Sequence, residues 1–320
     1  MEEILNLNSS IPSYFVLSKD GRYLAYADDG SVFIIDFENR CEYEEEDPYN
    51  FERSGDIHLC FTPDSKSLII APTQAEKISI VEMESSELNS PILFSYIFSV
   101  STLACTENKI FIGDNAGFLR IYDYEGNLIS DKQEAKVFEK QGVNRIEINP
   151  NNSNQILLES SNYSGTVYAT VYKDFNDNVV YTFDSSSGTF SEKQNIYYPN
   201  MYLYNRFRGK VYIQDCFKFE QKFITEFRDG KALFNKDDFL YMVKDHEIII
   251  YDLLTKTRSE IDGYCVQFFP DGKVAVLDFD EIKLFYPDRI KLRNLFCNFI
   301  DITLLDSSIP FTIHDFLSGV

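Results

Sequence analysis

The sequence predicts an all-β protein in which about seven four-stranded sheets form one ring. Three observations predict this class: strand-forming residues dominate the composition, turn motifs recur at a regular spacing, and short apolar segments separate the turns. The chain has 320 residues, of which 28 are Phe, 21 are Tyr and none is Trp. Aromatic and β-branched residues favour strands, and a hydrophobic fraction of 44% is sufficient for a large core.

The repeating unit is clearest near the start of the chain. A first apolar segment (residues 14–17) leads into the turn 18–21, a second (22–27) leads into the turn 28–30, and a third (32–36) ends in an acidic residue. Both turns contain Asp-Gly, which is a strong signal for a tight turn between two strands. The unit is therefore expected to be an antiparallel meander, and similar segments recur along the chain.

The spacing of the first turn in each unit gives the length of the repeat. Asp20 and Asp64 are 44 residues apart, and Asp64 and Glu107 are 43 residues apart. The seven turns are expected at Asp20, Asp64, Glu107, Asn151, Arg208, Asp237 and Asp271. Length alone suggests about two domains, but four-stranded units of about 40–45 residues are typical of β-propeller blades. We therefore expect a single seven-bladed propeller over residues 1–287 and an appendage over residues 288–320.

The chain resembles the WD-repeat β-propellers over about residues 14–287. Two kinds of segment carry the resemblance: turns similar to Ser-Pro-Asp-Gly, and third strands that end in a sequence similar to Ile-Trp-Asp. These turns lie at 18–21, 62–65 and 270–272, and these strand ends lie at 34–36, 121–123 and 250–252. Ile or Tyr stands in place of Trp and no Gly-His dipeptide occurs, so the family's Asp-His-Ser-Trp network is not expected. The resemblance implies a propeller that packs without that network.

The ends of the chain must complete the ring, because an open propeller would leave a sheet edge exposed. The resemblance implies that residues 3–7 supply the outer strand of the last blade. Residues 289–305 carry apolar side chains near one helical face and predict a helix. The alternative is that residues 292–303 form the outer strand instead. Residues 309–317 are expected to be a short docking peptide, which either covers one end of the ring or binds a partner.

The fourth blade is expected to be enlarged. Besides the first strand at 143–148, four segments there have strand-forming sequences, one more than a four-stranded unit needs, and Asn- and Ser-rich turns separate them. They lie at 155–158, 166–172, 178–183 and 195–198. The blade boundaries between residues 151 and 237 stay open at this point. Long hairpins project from a propeller face, and loops often carry function.

Composition and charge exclude several classes of partner. The net charge is −21, whereas nucleic-acid binding depends on clustered Lys and Arg and anionic membranes attract basic segments. We therefore expect no direct nucleic-acid binding and no membrane insertion. The sequence begins without a signal-peptide pattern and contains no window of 18 apolar residues, which predicts a cytoplasmic protein, with the nucleus as the alternative. The six cysteines are widely scattered and are expected to be free, buried thiols.

Motifs for catalysis and cofactor binding are not found in the sequence. There is no GxGxxG, P-loop, GxSxG or HExxH motif, and only 3 His occur, so we expect no catalytic residue, no cofactor and no metal site. Acidic pairs such as Asp28–Asp29 and Asp237–Asp238 fall in predicted turns, and residues 278–281 lack the spacing of a Ca²⁺ loop. Turn Asp side chains usually accept hydrogen bonds from their own backbone.

The acidic segment 38–56 carries the strongest local signal for function. Its carboxylates alternate with aromatic side chains, and this combination can bind Lys and Arg through ion pairs and cation–π contacts. The candidate partner-binding residues are Glu42, Tyr43, Glu44, Glu45, Glu46, Asp47, Tyr49 and Phe51. The alternative is a solvated loop that protects a sheet edge.

These observations favour a non-catalytic protein-interaction platform, as a subunit of or factor for a larger intracellular assembly. The acidic charge favours a Lys/Arg-rich protein partner, and it resembles that of the family's chaperones of ribosomal proteins and histones. One alternative is a structural subunit of a trafficking, nuclear-pore or translation complex. Another is a propeller enzyme with a carboxylate-lined funnel, since propellers also host enzymes. The propeller itself is expected to be monomeric within its complex.

Overall fold

The computed structural model describes residues 3–7, 15–28, 30–39, 41–45, 56–73, 77–83, 92–93, 99–133, 142–150, 152–161, 167–172, 179–184, 187–190, 202–207, 210–215, 221–227, 232–236, 238–279 and 281–287. Within these residues, 28 strands form seven four-stranded antiparallel sheets. The prediction of an all-β, seven-bladed propeller is confirmed. We number the sheets as blades 1 to 7 in chain order, beginning with the sheet that contains residue 15.

Blades 1 to 3 each consist of four strands that follow one another in the sequence. They are β2 (Phe15–Leu17), β3 (Tyr23–Asp28), β4 (Ser31–Asp36) and β5 (Cys41–Glu45); β6 (Ile57–Phe61), β7 (Ser67–Pro72), β8 (Lys77–Glu82) and β9 (Ile92–Leu93); and β10 (Val100–Thr106), β11 (Lys109–Asp114), β12 (Phe118–Tyr122) and β13 (Leu128–Gln133). The strand order within each sheet equals the sequence order, so each blade is a simple meander.

Blades 4 to 6 repeat this arrangement, and blade 7 takes its fourth strand from the beginning of the chain. The strands are β14 (Val143–Ile148), β15 (Ile156–Ser161), β16 (Val167–Tyr172) and β17 (Val179–Asp184); β18 (Ser187–Phe190), β19 (Tyr202–Phe207), β20 (Lys210–Asp215) and β21 (Gln221–Glu226); β22 (Ala232–Lys236), β23 (Phe239–Lys244), β24 (Glu247–Asp252) and β25 (Arg258–Asp262); and β26 (Cys265–Phe268), β27 (Val274–Asp278), β28 (Glu281–Phe285) and β1 (Glu3–Asn6).

The first and last strands close the ring. Strand β1 pairs antiparallel with β28, and Leu5 lies opposite Ile282 in this register. The prediction that residues 3–7 supply the outer strand of the last blade is confirmed, and residues 292–303 are not the strand beside β28. Residues 288–320, including the predicted helix and docking peptide, lie outside the described residues.

The structure corrects the expected blade boundaries between residues 151 and 237. Blade 4 is not enlarged, because three of its supposed extra segments are its own strands β15, β16 and β17, while residues 195–198 lie outside the described part of the chain. The turn expected at Arg208 follows the second strand of blade 5, not its first strand, since β19 ends at Phe207. The first strand, β18, is short and has the sequence Ser-Gly-Thr-Phe, so it offers no apolar run by which to recognise it.

Neighbouring blades pack through apolar side chains. Because successive residues of a strand point to opposite faces of the sheet, one strand contributes to the packing on both sides of its blade. Tyr23 of blade 1 packs with Leu59 of blade 2, and Leu24 of blade 1 packs with Leu277 of blade 7. Corresponding clusters join blades 2 and 3, 3 and 4, 5 and 6, and 6 and 7. Strand β18 contacts β15, which joins blades 4 and 5. The ring therefore closes by apolar packing without any Trp, as expected for such blades.

Asp side chains stabilise the turns that the repeat predicts. Asp20 Oδ1 accepts hydrogen bonds from Ser18 Oγ (2.6 Å) and from the amide of Arg22 (3.0 Å). In blade 2, Asp64 Oδ1 accepts from Thr62 Oγ1 (2.6 Å) and from the amide of Lys66 (3.1 Å). Both carboxylates thus bind groups of their own turn, whereas the acidic pairs that the sequence singles out include Asp29 and Asp237, which lie outside the described residues.

The shared strand order gives the ring two distinct faces. The connection face carries the hairpins between the second and third strands and the links between blades; its described residues include 30–31, 56–57, 72–73, 114–118, 142–143, 244–247, 262–265 and 278–279. The hairpin face carries the remaining turns, including 18–22, 62–66, 253–257 and 269–273. On the connection face, some of the described links bond the adjacent hairpins: the amide of Thr73 donates to the carbonyl of Asp56 (2.8 Å), and the amide of Asn115 donates to the carbonyl of Ser99 (3.0 Å).

Candidate functional site

The partner-binding residues that the sequence predicts lie in and after the outermost strand of blade 1. Strand β5 pairs with β4, and the register places Glu42 opposite Ile35 and Glu44 opposite Phe33. Its last residue, Glu45, lies at the connection face. Glu46, Asp47, Tyr49 and Phe51 lie outside the described residues. The binding role of this segment stays a prediction.

Three aromatic side chains come together on the connection face where blades 6 and 7 meet. The rings of His246 and Phe279 are stacked, with centroids 5.8 Å apart and an interplanar angle of 10°. The ring of Tyr264 meets His246 edge-on at 6.2 Å, and its hydroxyl donates a hydrogen bond to the carbonyl of Phe279 (3.2 Å). We call His246, Tyr264 and Phe279 the aromatic patch. The side chain of Phe279 is 53% exposed.

A glycine brings the link between blades 6 and 7 close enough to form this patch. Gly263 has φ +154°, and a Cβ there would lie only 2.2 Å from Val276 Cγ1. Its amide donates to the carbonyl of His246 (3.0 Å), and the amide of Tyr264 donates to the carbonyl of Leu277 (2.9 Å). These bonds attach the link to both hairpins and hold Tyr264 between His246 and Phe279.

The backbone of Phe279 is strained. Its φ of +54° lies in the left-handed region, where a bulky side chain is a genuine outlier and Gly or Asn is usual. A phenyl ring at an exposed hairpin tip also leaves apolar surface in water. Residues held in such conformations cluster at ligand-binding sites. Both the strain and the exposure at Phe279 therefore mark this hairpin as a candidate site.

The surroundings of the aromatic patch are acidic. Lys244 Nζ lies 3.8 Å from Glu247, and Lys283 Nζ lies 2.5 Å from Asp278, so carboxylates offset both nearby lysines. The described residues at 244–247, 262 and 278–283 include five carboxylates and two lysines. The carboxylates belong to Asp245, Glu247, Asp262, Asp278 and Glu281. An acidic surface that contains exposed aromatic rings suits a cationic ligand.

A second polar cluster lies where blades 4, 5 and 6 meet, on the inner strands β14, β18 and β22 and on the second strand of blade 4, β15. Arg145 Nη2 lies 2.6 Å from Glu147 Oε2, and Arg145 Nη1 lies 3.4 Å from Glu159 Oε1. Thr189 Oγ1 donates to Glu147 Oε1 (2.8 Å), and the guanidinium of Arg145 lies 4.6 Å from the ring centroid of Phe234. The two carboxylates thus bind the arginine between blades, a structural role, and the described residues supply no positive evidence for catalysis.

Sites for metals and membranes were sought in the same residues. Nowhere in the described part of the chain do three or more His, Cys, Asp or Glu side chains form a group that could hold a metal ion. Asp278, which belongs to the acidic run 278–281, is paired with Lys283. Among the described residues, no helix combines the length and the apolar character needed to cross a membrane.

Sequence reasoning missed the aromatic patch, because its members come from two hairpins and a link between blades. One signal was present in the sequence, since Phe279 stands between Asp278 and Asp280 in the short acidic run that separates two apolar segments. A large apolar residue at a position that favours Gly or Asn is unusual. The stacking partner, His246, could not be found in this way, because it comes close to Phe279 only when blade 6 packs against blade 7.

Comparisons with known proteins identify the fold. No family model and no curated protein matches the sequence. Among solved structures, a chain of the mitotic checkpoint complex matches with a TM-score of 0.68 and 11% identity, over 89% of this chain and 91% of that chain. A chain of Kuenenia stuttgartiensis hydrazine synthase matches with a TM-score of 0.64 and 12% identity, over 88% of this chain and 97% of that chain. Both likenesses support a β-propeller.

Proposed function

We propose that this chain is a non-catalytic protein-interaction platform whose connection face binds a Lys/Arg-rich segment of a partner protein. The observation that carries this proposal is Phe279, which is 53% exposed and held at φ +54° in an acidic surround. The strained backbone and exposed side chain of Phe279 cost folding free energy. A partner that binds over the phenyl ring would account for the retention of this residue. Protein surfaces that bind partners are enriched in such aromatic side chains.

The aromatic patch and the carboxylates around it bind a cation through different interactions. A guanidinium or ammonium group that stacks on Phe279 gains a cation–π contact worth about 0.5–2 kcal/mol, depending on how far it is desolvated. The carboxylates of Asp245, Asp262 and Glu281 attract the basic segment over a longer distance and increase its association rate. Because exposed charges are screened, we expect salt to weaken the attraction more than the stacking.

The acidic strand β5 continues the acidic surface of the aromatic patch from blade 7 to blade 1 of the propeller. Blade 1 packs against blade 7, and Glu45, the last residue of β5, lies on the connection face. We therefore propose that the predicted residues at 42–47, 49 and 51 contact the same basic partner as the aromatic patch. A peptide that crosses from blade 7 to blade 1 would meet carboxylates on both blades.

A basic partner is consistent with several cellular roles. We propose that this propeller is a divergent, WD-repeat-like factor for a larger assembly in the cytoplasm or nucleus, with a role like that of ribosomal-protein or histone chaperones. Residues 1–287 form the platform in this proposal, as a monomer within its complex, and residues 288–320 form a docking tail. A structural subunit of a trafficking, nuclear-pore or translation complex is the second candidate. The likeness to a chain of the mitotic checkpoint complex favours a platform role for either candidate.

Fluorescence anisotropy with a labelled oligoarginine peptide tests the proposal. Phe279→Gly deletes the ring and also relieves the backbone strain, so the variant is expected to fold. Phe279→Gly and His246→Ala should each weaken binding about tenfold, as expected for loss of an aromatic contact at a binding site. Leu254→Ala is the matched control, because Leu254 is 72% exposed but lies on the hairpin face.

Three outcomes would contradict the proposal. Equal losses in Phe279→Gly and Leu254→Ala would exclude the connection face as the binding surface. Equal binding of an oligoglutamate peptide of the same length would exclude charge recognition. Loss of a turnover activity on replacing Glu147 or Glu159 would favour the enzyme with a carboxylate-lined funnel.

Mass spectrometry of the proteins that copurify with the wild-type chain, at low and at high salt, would identify the natural partner.

A further inference from the structure

Two cysteine thiols lie in contact across the interface between blades 2 and 3. Cys60 is on β6 and Cys105 is on β10, which are the inner strands of their blades. Their sulfur atoms are 3.3 Å apart and share a hydrogen bond. Cys105 Sγ also donates to the carbonyl of Phe61 (3.1 Å), which fixes its direction toward β6. Two thiols 45 residues apart in the sequence are thereby held side by side.

We propose that Cys60 and Cys105 form an oxidation site, at which a peroxide converts the two thiols into a disulfide that joins blades 2 and 3. The sulfur atoms must approach from 3.3 Å to about 2.05 Å. This change of about 1.3 Å is small enough for side-chain rotation and a slight shift of one strand. The scattered cysteines predict only free thiols, because no local pattern in the sequence brings Cys60 and Cys105 together.

The reaction balances with hydrogen peroxide as the oxidant. One thiolate attacks the O–O bond, so an S–O bond forms, the O–O bond breaks, and the displaced oxygen leaves as water after protonation. The second sulfur then attacks the resulting sulfenic acid, an S–S bond forms, and the S–OH oxygen leaves as a second water. In sum, two thiols and one peroxide give one disulfide and two waters. The sulfurs are oxidised and the peroxide is reduced.

The surroundings of the pair favour this reaction. Cys60 is partly exposed and its sulfur touches that of the buried Cys105, so a small oxidant that enters beside Cys60 reaches both sulfur atoms. The hydrogen bond between the two thiols lowers the pKa of Cys105 and raises that of Cys60. Cys105 is therefore the thiol that ionises first, and the thiolate is the reactive form. Its neighbour Cys60 is already in position to react with the sulfenic acid.

Cys265 provides an internal control within the same chain. It lies on β26, the inner strand of blade 7, and burial raises the pKa of its thiol to about 11. A thiol that is protonated at neutral pH reacts slowly with peroxide. Oxidation at the proposed site therefore leaves Cys265 as a free thiol while Cys60 and Cys105 are joined.

Peptide mapping of the full chain under non-reducing conditions tests this site. The protein is treated with hydrogen peroxide at a dose that fully oxidises glutathione in a separate tube, and remaining thiols are then alkylated. We expect a linked pair of peptides containing Cys60 and Cys105, lighter than the sum of the two reduced peptides by about 2 Da, the mass of two hydrogens. Dithiothreitol should reverse the link, and Cys265 should be alkylated.

The variants Cys60→Ser and Cys105→Ser supply the second measurement. The wild-type protein should gain several degrees in Tm on oxidation, because the link closes a long loop, and neither variant should gain. Separate alkylation of Cys60 and Cys105 after peroxide treatment would overturn the proposal. So would their conversion to sulfinic acids without a link, or oxidation of Cys265 to the same extent.

Discussion

Arg120 Nη1 lies 2.7 Å from Asp114 Oδ2, and both side chains are almost completely buried in blade 3. Asp114 Oδ1 also accepts hydrogen bonds from the amides of Ala116 (2.9 Å) and Phe118 (2.8 Å), so each oxygen of the carboxylate has a partner. The guanidinium of Arg120 stacks on the ring of Phe118 at 4.8 Å. This ion pair therefore holds the hairpin between β11 and β12 from inside the sheet.

Removing one partner of this pair should destabilise the protein strongly. Asp114→Ala removes the shorter of the two ion pairs of the buried Arg120 guanidinium and leaves only the 3.5 Å contact of its Nε with Asp131 Oδ1, so the free energy of unfolding should fall by about 3–5 kcal/mol. Urea denaturation measures the loss. Glu260→Ala is the matched control, because the Arg258–Glu260 pair is exposed (3.0 Å, with side chains 45% and 52% exposed) and should contribute less than about 1 kcal/mol. Equal effects of the two variants would refute the structural role of Asp114.

A methyl group at Gly263 should disrupt the link between blades 6 and 7. In Gly263→Ala the new Cβ would lie 2.2 Å from Val276 Cγ1 and 2.9 Å from the carbonyl oxygen of Leu277. We expect a loss of about 1–3 kcal/mol in stability, together with weaker oligoarginine binding because Tyr264 moves.

Gly142→Ala is the control for this change, since Gly142 lies on the equivalent link between blades 3 and 4. Its nearest neighbour to an added Cβ, the Cα of Asn115, is 3.1 Å away, and its φ is not in the left-handed region. This variant should lose less stability and should bind oligoarginine like the wild type. If Gly142→Ala impairs peptide binding as much as Gly263→Ala does, then the link at Gly263 has no special role.

Acid should weaken the outer hairpin of blade 1 through Asp36. Burial alone would raise the pKa of Asp36, but hydrogen bonds from Arg22 and Asn39 outweigh it and lower that pKa below its ordinary value of 3.8. Because the folded-state pKa is the lower one, the stabilisation is complete above the ordinary value and disappears as the pH falls through the folded-state pKa. Thermal unfolding between about pH 5 and pH 2 should show a smaller acid-induced fall in Tm for Asp36→Asn than for the wild type. An exposed control, Glu125→Gln, should keep the full acid dependence.

Neutralising strand β5 should weaken a basic partner if this strand belongs to the binding surface. The triple variant Glu42→Gln, Glu44→Gln and Glu45→Gln should lower oligoarginine affinity several-fold at low salt, and the difference should shrink at high salt because exposed charges are screened. A second triple variant, Glu107→Gln, Glu125→Gln and Glu260→Gln, loses the same number of negative charges away from the connection face. Equal losses in both variants would indicate attraction by net charge alone.

The repeat could be predicted because its information is local. An Asp such as Asp20 or Asp64 accepts hydrogen bonds from groups two residues away, so the turn and its spacing are visible in the sequence. Closure by β1 is what the resemblance to the WD-repeat propellers implies, and the cost of an open sheet edge is the physical reason for it. Strand β18 could not be placed, because its four residues have no apolar alternation and its position depends on contacts with β19 and blade 4.

The candidate site was less accessible to sequence reasoning than the fold. The acidic run at 42–47 is contiguous and therefore visible, and the structure confirms that β5 is an outer strand. The stack of His246 on Phe279 joins two blades, and the contact of Cys60 with Cys105 joins two others. Such pairs depend on how one meander packs on the next, which no local pattern specifies.

The pairing of β1 with β28 also sets the order of events during translation. Leu5 leaves the ribosome long before Ile282, its partner across the closing pair, exists. At about 5–20 residues per second, the delay for about 280 residues is roughly 14 s to a minute. During that interval the first strand has no sheet to join, while blades 1 to 6 can already assemble behind it. Ring closure therefore follows the assembly of blades 1 to 6. Strand β1 is unpaired until then, and chaperones that shield unpaired strands would act in that interval.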